Sequence, residues 1–363
     1  MTSRPKIYVG GAGGAPANNF IRSLREAAPD YYIIGASCVF TDLFLADAEE
    51  KHIVLPATHA NYTAQILRLL GQVRPAFIHL QHDFEVRAIS RLRRQVHDLG
   101  VKTYLPSVEA VENCVDKNKS YEIWQRASLR VPQTILLCTP ADLRKAFDTL
   151  GATIWLRATE GGGGKGAVPT NNFDFAQQWI ERFNGWGDFT ASELLTERSV
   201  TWLSLWYEGE LVVAQSRRRL SWNFGDRTLS GVTGITGVAE TVADETVDRV
   251  AQDAIRAIDA RPHGIWGVDM TYDQDGLPNP TEINIGRFFT THYFFTKAGL
   301  NLPEIYCNIA LKGEFPALER KINPLPAGLV WIRGMDRQPI LTTISELREA
   351  EQKWTLYQAA PSS

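Results

Sequence analysis

The sequence predicts an α/β protein built from more than one domain, and two observations support this prediction. Short apolar runs alternate with stretches of helical periodicity along residues 1–112, a pattern typical of a parallel sheet with helices on both faces. At 363 residues the chain is also long for a single hydrophobic core, and its 44% apolar content can fill two or three.

The N-terminal elements begin with an apolar run at residues 7–9, which leads into the turn Gly10-Gly11-Ala12-Gly13-Gly14 and then into an amphipathic helix. Further strands are predicted at residues 31–34, 52–55, 77–80 and 101–105, with helices near 64–70 and 84–99. Strand and helix therefore alternate up to a boundary near residue 113.

The remainder of the chain mixes helices with longer strands. Helices are predicted near residues 119–127 and 245–260, and strands at 134–138, 153–156, 191–213 and 265–285. Glu208-Gly209-Glu210 predicts a hairpin turn, because it separates two apolar runs. From Leu325 onward the pattern favours one more strand and a helix over 344–349.

Composition excludes several broad classes of function. A net charge of -3 and a pI near 6.2 give no general attraction to nucleic acid or to an anionic membrane. No apolar run approaches the roughly 20 residues that span a bilayer. The four cysteines lie far apart without metal-ligand spacing, which favours a reduced, cytoplasmic protein.

A glycine loop at residues 157–166 reads Arg-Ala-Thr-Glu-Gly-Gly-Gly-Gly-Lys-Gly. Glycines allow backbone N–H groups to approach an anion closely, and Lys165 adds a positive charge. The loop lacks the first glycine and the final Ser or Thr of a Walker A motif, and its kinase-like spacing is not followed by the other kinase motifs. It predicts a flap over nucleotide phosphates, with a flexible surface loop as the alternative.

A second motif, an acidic hairpin, lies about 100 residues later. Asp269 and Glu282 flank the turn Asp273-Gln274-Asp275-Gly276, whose centre is close to midway between them, so antiparallel pairing places them nearly opposite each other. Asn284, two residues beyond Glu282, shares their face. Three oxygen ligands of this kind suit Mg²⁺ that is also held by a nucleotide's phosphates. The alternative is a solvated strand face with an acidic turn.

These motifs and their order resemble the ATP-grasp superfamily, particularly the synthetase subunits of carbamoyl phosphate synthase and the carboxylate-amine ligases. The resemblance covers roughly residues 5–310 and includes Asp116-Lys117 followed by Val131-Pro132. It implies that nucleotide is bound by the following residues: Lys117, Arg157, Gly161, Gly162, Gly163, Gly164, Lys165, Glu193, Leu195 and Glu197. Among these, Glu193 and the Leu195 backbone would meet the adenine edge at the hinge between two lobes.

The resemblance also implies metal ligands and catalytic residues. Asp269, Glu282 and Asn284 fall on the magnesium ligands, for Mg²⁺ or alternatively Mn²⁺. Arg287 resembles the arginine that steadies the transferred phosphate, and Lys165 adds a cation in the flap.

Two positions depart from the superfamily pattern. The usual ribose-binding acid is replaced by Ser199 or Val200, which leaves Glu197 as the substitute. The frequent Asn-Pro-Arg motif is one residue longer here and reads Asn284-Ile285-Gly286-Arg287.

The resemblance implies a domain order as well as an activity. A Rossmann-like pre-ATP-grasp domain at residues 1–112 would precede a two-lobed α+β ATP-grasp domain at 113–315, with its small lobe at about 125–200, and a C-terminal extension at 316–363. The implied reaction uses ATP to convert a substrate carboxylate into an acyl phosphate, with release of ADP. An amine, or less often a thiol, then attacks the acyl phosphate; an amine gives an amide, and phosphate is released. Small-molecule substrates are the expected partners, and a homodimer is a possible assembly.

Substrate recognition has a weaker signal. Arg217-Arg218-Arg219, with Trp222 nearby and a glycine-containing segment at 230–234, could bind an anionic or planar substrate. We assign Arg219 to this role, with a solvated charge run as the alternative.

Two other functions remain open from the sequence. The glycines at 11–14 could hold a dinucleotide pyrophosphate in an oxidoreductase, although strict GxGxxG spacing is missing. A catalytically silent ATP-binding module is the other alternative.

Overall fold

The computed structural model describes residues 4–334 and 344–359, which form a mixed α/β structure with three sheets. The strands are β1 (Lys6–Gly10), β2 (Tyr32–Ser37), β3 (Glu50–Ile53), β4 (Phe77–His79), β5 (Thr134–Leu137), β6 (Ile154–Ala158), β7 (Val168–Thr170), β8 (Phe189–Glu193), β9 (Ser199–Tyr207), β10 (Glu210–Trp222), β11 (Thr236–Val242), β12 (Gly264–Tyr272), β13 (Pro278–Ile285) and β14 (Val330–Ile332).

The helices lie between these strands and after them. They are α1 (Ala15–Arg25), α2 (Asp42–Leu45), α3 (Tyr62–Val73), α4 (Asp83–Arg91), α5 (Arg93–Asp98), α6 (Val108–Val115), α7 (Lys117–Arg126), α8 (Pro140–Thr149), α9 (Phe173–Arg182), α10 (Glu245–Ile258), α11 (Tyr293–Lys297), α12 (Leu302–Lys312) and α13 (Ile344–Ala359). Within the described ranges, no helix combines the length and the apolar character needed to cross a membrane.

The N-terminal sheet is parallel, as the alternating pattern predicts. Its strand order is β3-β2-β1-β4, and every pairing in it is parallel. The prediction of a strand at 101–105 is wrong, because only Lys102 forms a bridge, to Phe77. Val101, Tyr104 and Leu105 are buried, so the apolar run reflects packing into the core and not a ladder. The helix predicted over 84–99 is divided at Leu92 into α4 and α5.

A second, four-stranded sheet forms a small lobe. Its order is β5-β8-β6-β7 and its pairings are antiparallel. Helix α8 begins with a capping box in which Thr139 and Asp142 bond each other's backbone, and α8 packs with α9 over an apolar core that includes Leu143, Leu156 and Ile180. The loop after β6 carries the four glycines.

The largest sheet has the order β13-β12-β9-β10-β11-β14. Alternation along β9 divides it into two faces, because Val200, Trp202 and Trp206 enter one buried cluster whereas Leu203 and Leu205 enter another. The Glu208-Gly209 turn joins β9 to β10 with both residues at positive φ, which confirms the predicted hairpin.

The C-terminal segment is attached to this same sheet. Strand β14 pairs antiparallel with β11, and the Asn323 side chain donates to both carboxylate oxygens of Asp248 at 2.9 and 3.0 Å. The predicted strand and helix after Leu325 are confirmed as β14 and α13. The domain boundaries at 112 and 315 stay predictions.

The glycine turn after β1 is explained by packing. A Cβ at Gly13 would lie 1.9 Å from the Asp42 carbonyl oxygen, and a Cβ at Gly10 would lie 2.7 Å from Glu85 Oε2. Glu85 is itself buried, and burial raises the pKa of its carboxyl to about 8. A buried carboxyl therefore lies directly against the turn.

The raised pKa makes the stability of the fold depend on pH. Glu85 binds a proton more tightly in the folded chain, so its contribution to stability is complete below its ordinary pKa of 4.5 and is lost as the pH rises towards about 8. We expect Glu85→Gln to have a higher Tm than the unsubstituted protein at about pH 8.5 but little advantage at about pH 5. Exposed Glu319→Gln is the control; an equal effect of Glu85→Gln at both pH values would contradict this assignment.

Candidate active site

One cavity of about 850 Å³ lies between the small lobe and the largest sheet. Every site residue predicted from the sequence lines it. These residues are Lys117, Arg157, Gly161, Gly162, Gly163, Gly164, Lys165, Glu193, Leu195, Glu197, Arg219, Asp269, Glu282, Asn284 and Arg287. The structure therefore brings together residues that are up to 170 positions apart in the chain.

The acidic hairpin has the geometry that its spacing predicts. Asp269 on β12 is directly opposite Glu282 on β13, and Asn284 pairs with Gly267. Thr201 on β9 donates its hydroxyl to Asp269 Oδ1 at 2.5 Å, and Asn284 Nδ2 donates to Asp269 Oδ2 at 2.9 Å. The sheet register and these two bonds fix the orientation of the Asp269 carboxylate.

The donor set fits a divalent cation that also has ligands outside the protein. Within residues 4–334 and 344–359, no group of three or more His, Cys, Asp and Glu side chains is arranged to hold a metal. Asp269 and Glu282 supply two hard carboxylates, and Mg²⁺ in nucleotide sites commonly takes one or two carboxylates plus phosphate oxygens. The Asn284 Oδ1 atom accepts a hydrogen bond from Arg287, and its role as a metal ligand stays a prediction.

Three cations surround the two carboxylates at distances longer than a hydrogen bond. Lys117 Nζ lies 3.8 Å from Glu282 Oε1, Arg157 Nη1 lies 4.0 Å from Glu282 Oε2, and Arg219 Nη2 lies 4.0 Å from Asp269 Oδ1. Burial lowers the pKa of Arg157 and of Arg219, and the carboxylates partly oppose this. This arrangement places positive charge around the carboxylates without neutralising them by direct contact.

Hydrogen bonds outside the carboxylate pair hold these cations in place. Arg157 Nη2 donates to the Thr281 carbonyl at 2.7 Å. Arg219 donates through Nη1 to Ser199 at 2.8 Å and through Nε to Thr236 at 3.1 Å, and its guanidinium lies 3.7 Å from the Trp222 ring centroid. The cationic groups are thus oriented by the sheet itself.

Arg287 has a partner that sequence reasoning missed. Its guanidinium donates to both carboxylate oxygens of Asp83, the first residue of α4, and also to Asn284. Burial lowers the pKa of Arg287, but the Asp83, Glu282 and Asp269 carboxylates outweigh burial and the pKa is raised. Asp83 lies shortly after β4, and ligand sites in α/β proteins commonly lie at the carboxyl ends of parallel strands. The position of Asp83 after a predicted strand could therefore have identified it from the sequence.

Two glycine-containing loops meet across the cavity. Lys117 Nζ donates to the Gly161 carbonyl at 2.6 Å, which fixes the start of the flap. A Cβ at Gly164 would lie 2.9 Å from the Val232 carbonyl oxygen, and a Cβ at Gly234 would lie 2.9 Å from the Gly163 Cα. Since the backbones approach this closely, the flap and the segment at 230–234 form one cover.

The hinge region agrees only in part with the roles that the resemblance implies. Glu193 Oε2 accepts a hydrogen bond from the Gln133 backbone N–H at 2.7 Å, so the Glu193 carboxylate already has a partner in the small lobe. Ser199 Oγ accepts a hydrogen bond from Arg219 and Val200 is buried, so neither supplies the ribose-binding acid that the superfamily usually has there. Glu197 is exposed and lines the cavity, and its ribose contact stays a prediction.

The three consecutive arginines have different environments because β10 alternates. Arg217 and Arg219 line the cavity, whereas Arg218 Nη2 pairs with Glu240 at 2.7 Å on the other face. The alternative of a solvated charge run therefore does not describe Arg217 and Arg219, and their role in substrate binding stays a prediction.

No protein-family model and no curated protein matches the sequence. Solved structures do match its fold. Biotin carboxylase from Campylobacter jejuni is 18% identical with a TM-score of 0.65, over 87% of this chain and 72% of that one. L-amino acid ligase from Bacillus licheniformis is 14% identical with a TM-score of 0.63, over 86% and 75%.

A third structure matches over still more of the chain. Carboxyaminoimidazole ribonucleotide synthase from Aspergillus clavatus is 15% identical with a TM-score of 0.67, over 91% of this chain and 81% of that one. These likenesses confirm that the chain has the ATP-grasp fold that its motifs resemble.

Removal of the Asp83 carboxylate tests the ion pair. Asp83→Ala leaves the Arg287 cation, whose side chain is only 16% exposed, without its main partner, and we expect the free energy of unfolding to fall by about 3 kcal/mol. Asp30→Ala breaks an exposed pair with Arg4 and should cost less than about 1 kcal/mol. Urea denaturation measures both variants, and equal losses would show that the Asp83–Arg287 pair has no special structural importance.

Proposed function

We propose that the protein is an ATP-dependent ligase that phosphorylates a substrate carboxylate and joins it to an amine, with release of ADP and phosphate. One observation carries this proposal: the opposed Asp269 and Glu282 carboxylates face the glycine flap inside a single cavity lined by cations. A triphosphate with a bound divalent cation needs both kinds of group at once.

The structural neighbours support this reaction class. The biotin carboxylase domain from Hydrogenobacter thermophilus was solved with MgADP and bicarbonate, and the Aspergillus synthase was solved with ATP. The Bacillus licheniformis protein is an L-amino acid ligase. Low sequence identity limits the likeness to fold, so the substrate must be argued from this chain's own residues.

Each charged group of the cavity has a role in this proposal. Asp269 and Glu282, together with Asn284, would hold Mg²⁺ or Mn²⁺. When bound, the cation would neutralise part of the negative charge of the polyphosphate. Lys117 and Arg157 lie within 4.0 Å of Glu282 and would bind the same phosphates. Phosphoryl transfer depends mainly on positioning and electrostatics, so the reaction needs no protein nucleophile.

The remaining groups orient the transfer. Arg287, held by Asp83, and Lys165 on the flap would offset charge on the transferred phosphoryl group. Arg219 lies beside Asp269, where it would hold the carboxylate oxygen that accepts this group. The amine nitrogen would then attack the acyl carbon, form the C–N bond and lose a proton, while phosphate leaves.

The cover over the cavity matters for the second half of the reaction. An acyl phosphate hydrolyses if water reaches it, and closing loops commonly exclude water from such sites. The contact between Gly163 and Gly234 brings the flap and the 230–234 segment together over the cavity. We therefore assign exclusion of water to both loops.

The two alternatives can be separated from this proposal. A dinucleotide pyrophosphate at the N-terminal turn would meet the buried Glu85 carboxyl, and packing already accounts for Gly10 and Gly13. A silent ATP-binding module would bind an ATP analogue without turnover. A cytoplasmic location and a homodimer stay predictions.

The direct test measures ADP, AMP and phosphate release from Mg-ATP in the presence of pooled amino acids and small carboxylic acids. Substrate-dependent ADP and phosphate, with a new condensed mass by mass spectrometry, are expected. AMP release would overturn the acyl-phosphate mechanism. Binding of an ATP analogue without release from any pool would favour the silent module.

Neutralising the carboxylate pair tests the metal assignment. We expect Glu282→Gln and Asp269→Asn each to lower kcat by at least about 100-fold, since each removes a charged ligand of the cation, while circular dichroism stays unchanged. Asp275→Asn, in the exposed turn of the same hairpin, should retain activity. Near-normal turnover by either cavity variant would reject the metal site.

The cover is tested with two glycines that have the same backbone conformation. Gly234 and Gly231 have φ values of 72° and 70°, but a Cβ at Gly231 meets nothing within 4 Å. We expect Gly234→Ala to lower kcat/KM for ATP about tenfold more than Gly231→Ala, which is roughly 1.4 kcal/mol. Steady-state kinetics of both variants provide the comparison, and equal losses would mean that only backbone strain matters.

A further inference from the structure

We propose that Arg217 and Phe289 form a subsite for a second, non-reacting anionic group of the acceptor, so that the substrate is a dicarboxylate or a carboxylate that bears another oxyanion. The assignment of the first, reacting carboxylate rests on the proposed ligase function. The subsite itself rests on separate observations.

The position of Arg217 in the sheet sets it apart from the reacting centre. Register pairs Glu282 with Asp269, Asp269 with Thr201, and Thr201 with Arg217, so these four residues form one row across β13, β12, β9 and β10. Strands are spaced about 4.8 Å apart, which places the Arg217 backbone roughly 10 Å from that of Asp269. The row runs from two carboxylates to one guanidinium with Thr201 between them.

The Arg217 side chain is buried and lacks hydrogen-bond partners. It is 3% exposed, it lines the cavity, and its Nε and Nη1 atoms have no hydrogen bond to any residue in the described parts of the chain. Burial and the neighbouring Arg219 cation lower its pKa to about 9, against the opposing effect of Asp269, so the guanidinium is charged at neutral pH. A buried charge without hydrogen-bond partners is costly, and an oxyanion that binds the guanidinium from the cavity would offset this cost.

Arg217 differs in its hydrogen bonding from the other arginines of the cavity. Among the arginines that line the cavity in the described ranges, Arg157, Arg219 and Arg287 all donate side-chain hydrogen bonds to the protein, whereas the Arg217 side chain donates none. Structural support for the fold therefore accounts for the other three arginines but not for Arg217.

Phe289 packs against the guanidinium of Arg217. The Arg217 Cζ atom lies 4.4 Å from the centroid of the Phe289 ring, which is buried and also lines the cavity. This cation–π contact restricts the position of the guanidinium, and the part of the side chain that lines the cavity can bind an oxyanion. The subsite is thus ordered before a ligand binds.

Arg219 and Arg217 divide the acceptor between them. Arg219 lies 4.0 Å from Asp269 and would hold the reacting carboxylate, whereas Arg217 forms no ion pair with Asp269 or Glu282 within the described chain. The two residues lie on the same face of β10, so their Cα atoms are roughly 7 Å apart. An acceptor with two anionic groups at its ends can therefore engage both.

A thermal-shift assay with two matched panels tests the subsite without requiring turnover. The protein is incubated with Mg²⁺ and a non-hydrolysable ATP analogue, then titrated with succinate, glutarate, adipate and 3-phosphoglycerate, or with the monocarboxylates butyrate, valerate and hexanoate. We expect at least one dianion to raise Tm and no monocarboxylate to match it at equal concentration and ionic strength. The phosphate-bearing probe distinguishes a carboxylate from a phosphate as the preferred second group.

Variants then assign the effect to Arg217. Arg217→Gln should weaken the apparent Kd for the best dianion at least about tenfold, because a charge-assisted hydrogen bond is lost, and Arg217→Lys should show an intermediate loss. Arg218→Gln is the matched control, since it lies next in the strand, faces Glu240 and does not line the cavity. Binding of the ATP analogue should change less than about twofold in all three variants.

The outcomes separate this inference from the proposed function. Equal shifts with both panels, no shift with any dianion, or an unchanged Kd in Arg217→Gln would overturn the subsite even if the ATP analogue binds. Dianion binding that depends on Arg217, without binding of the ATP analogue, would support the subsite and contradict the ligase. Should Arg217→Gln fail to fold, the two panels on the unsubstituted protein still decide the question.

Discussion

The pairing of β12 with its two neighbours determines where the charged groups of the cavity lie. Asp269 is opposite Glu282 on one side and Thr201 on the other, and Thr201 is in turn opposite Arg217. A slip of one residue would turn these side chains into the apolar cluster that holds Trp202 and Val268. The buried tryptophan face therefore maintains the register on which the opposite, polar face depends.

This polar face concentrates like charges at a cost that the fold offsets in part. Asp83 compensates Arg287, the Thr281 carbonyl accepts from Arg157, and Trp222 stacks on Arg219. These contacts orient the cations, and their positive charge still faces the cavity. A site for a polyphosphate and an anionic acceptor needs such positive charge. The two glycine-containing loops beside the cavity approach each other so closely that a Cβ on Gly234 would lie 2.9 Å from the Gly163 Cα.

Much of this could be predicted from the sequence because the signals are local. The acidic hairpin follows from a symmetric turn and period-two alternation, and the flap follows from four adjacent glycines. The partnership of Arg287 with Asp83 crosses 204 positions, and the lack of a partner for Arg217 depends on what surrounds it in three dimensions. The strand predicted at 101–105 was wrong because burial and strand pairing produce the same apolar signal.

The proposed function requires that one cavity binds a nucleoside triphosphate together with a divalent cation that Asp269 and Glu282 hold. A crystal structure of the protein with Mn²⁺ and a non-hydrolysable ATP analogue, measured for anomalous scattering, tests it most directly. We expect a manganese peak that contacts both carboxylates, with the triphosphate beneath the flap at 161–166. Nucleotide bound elsewhere, or manganese without contact to either carboxylate, would contradict it.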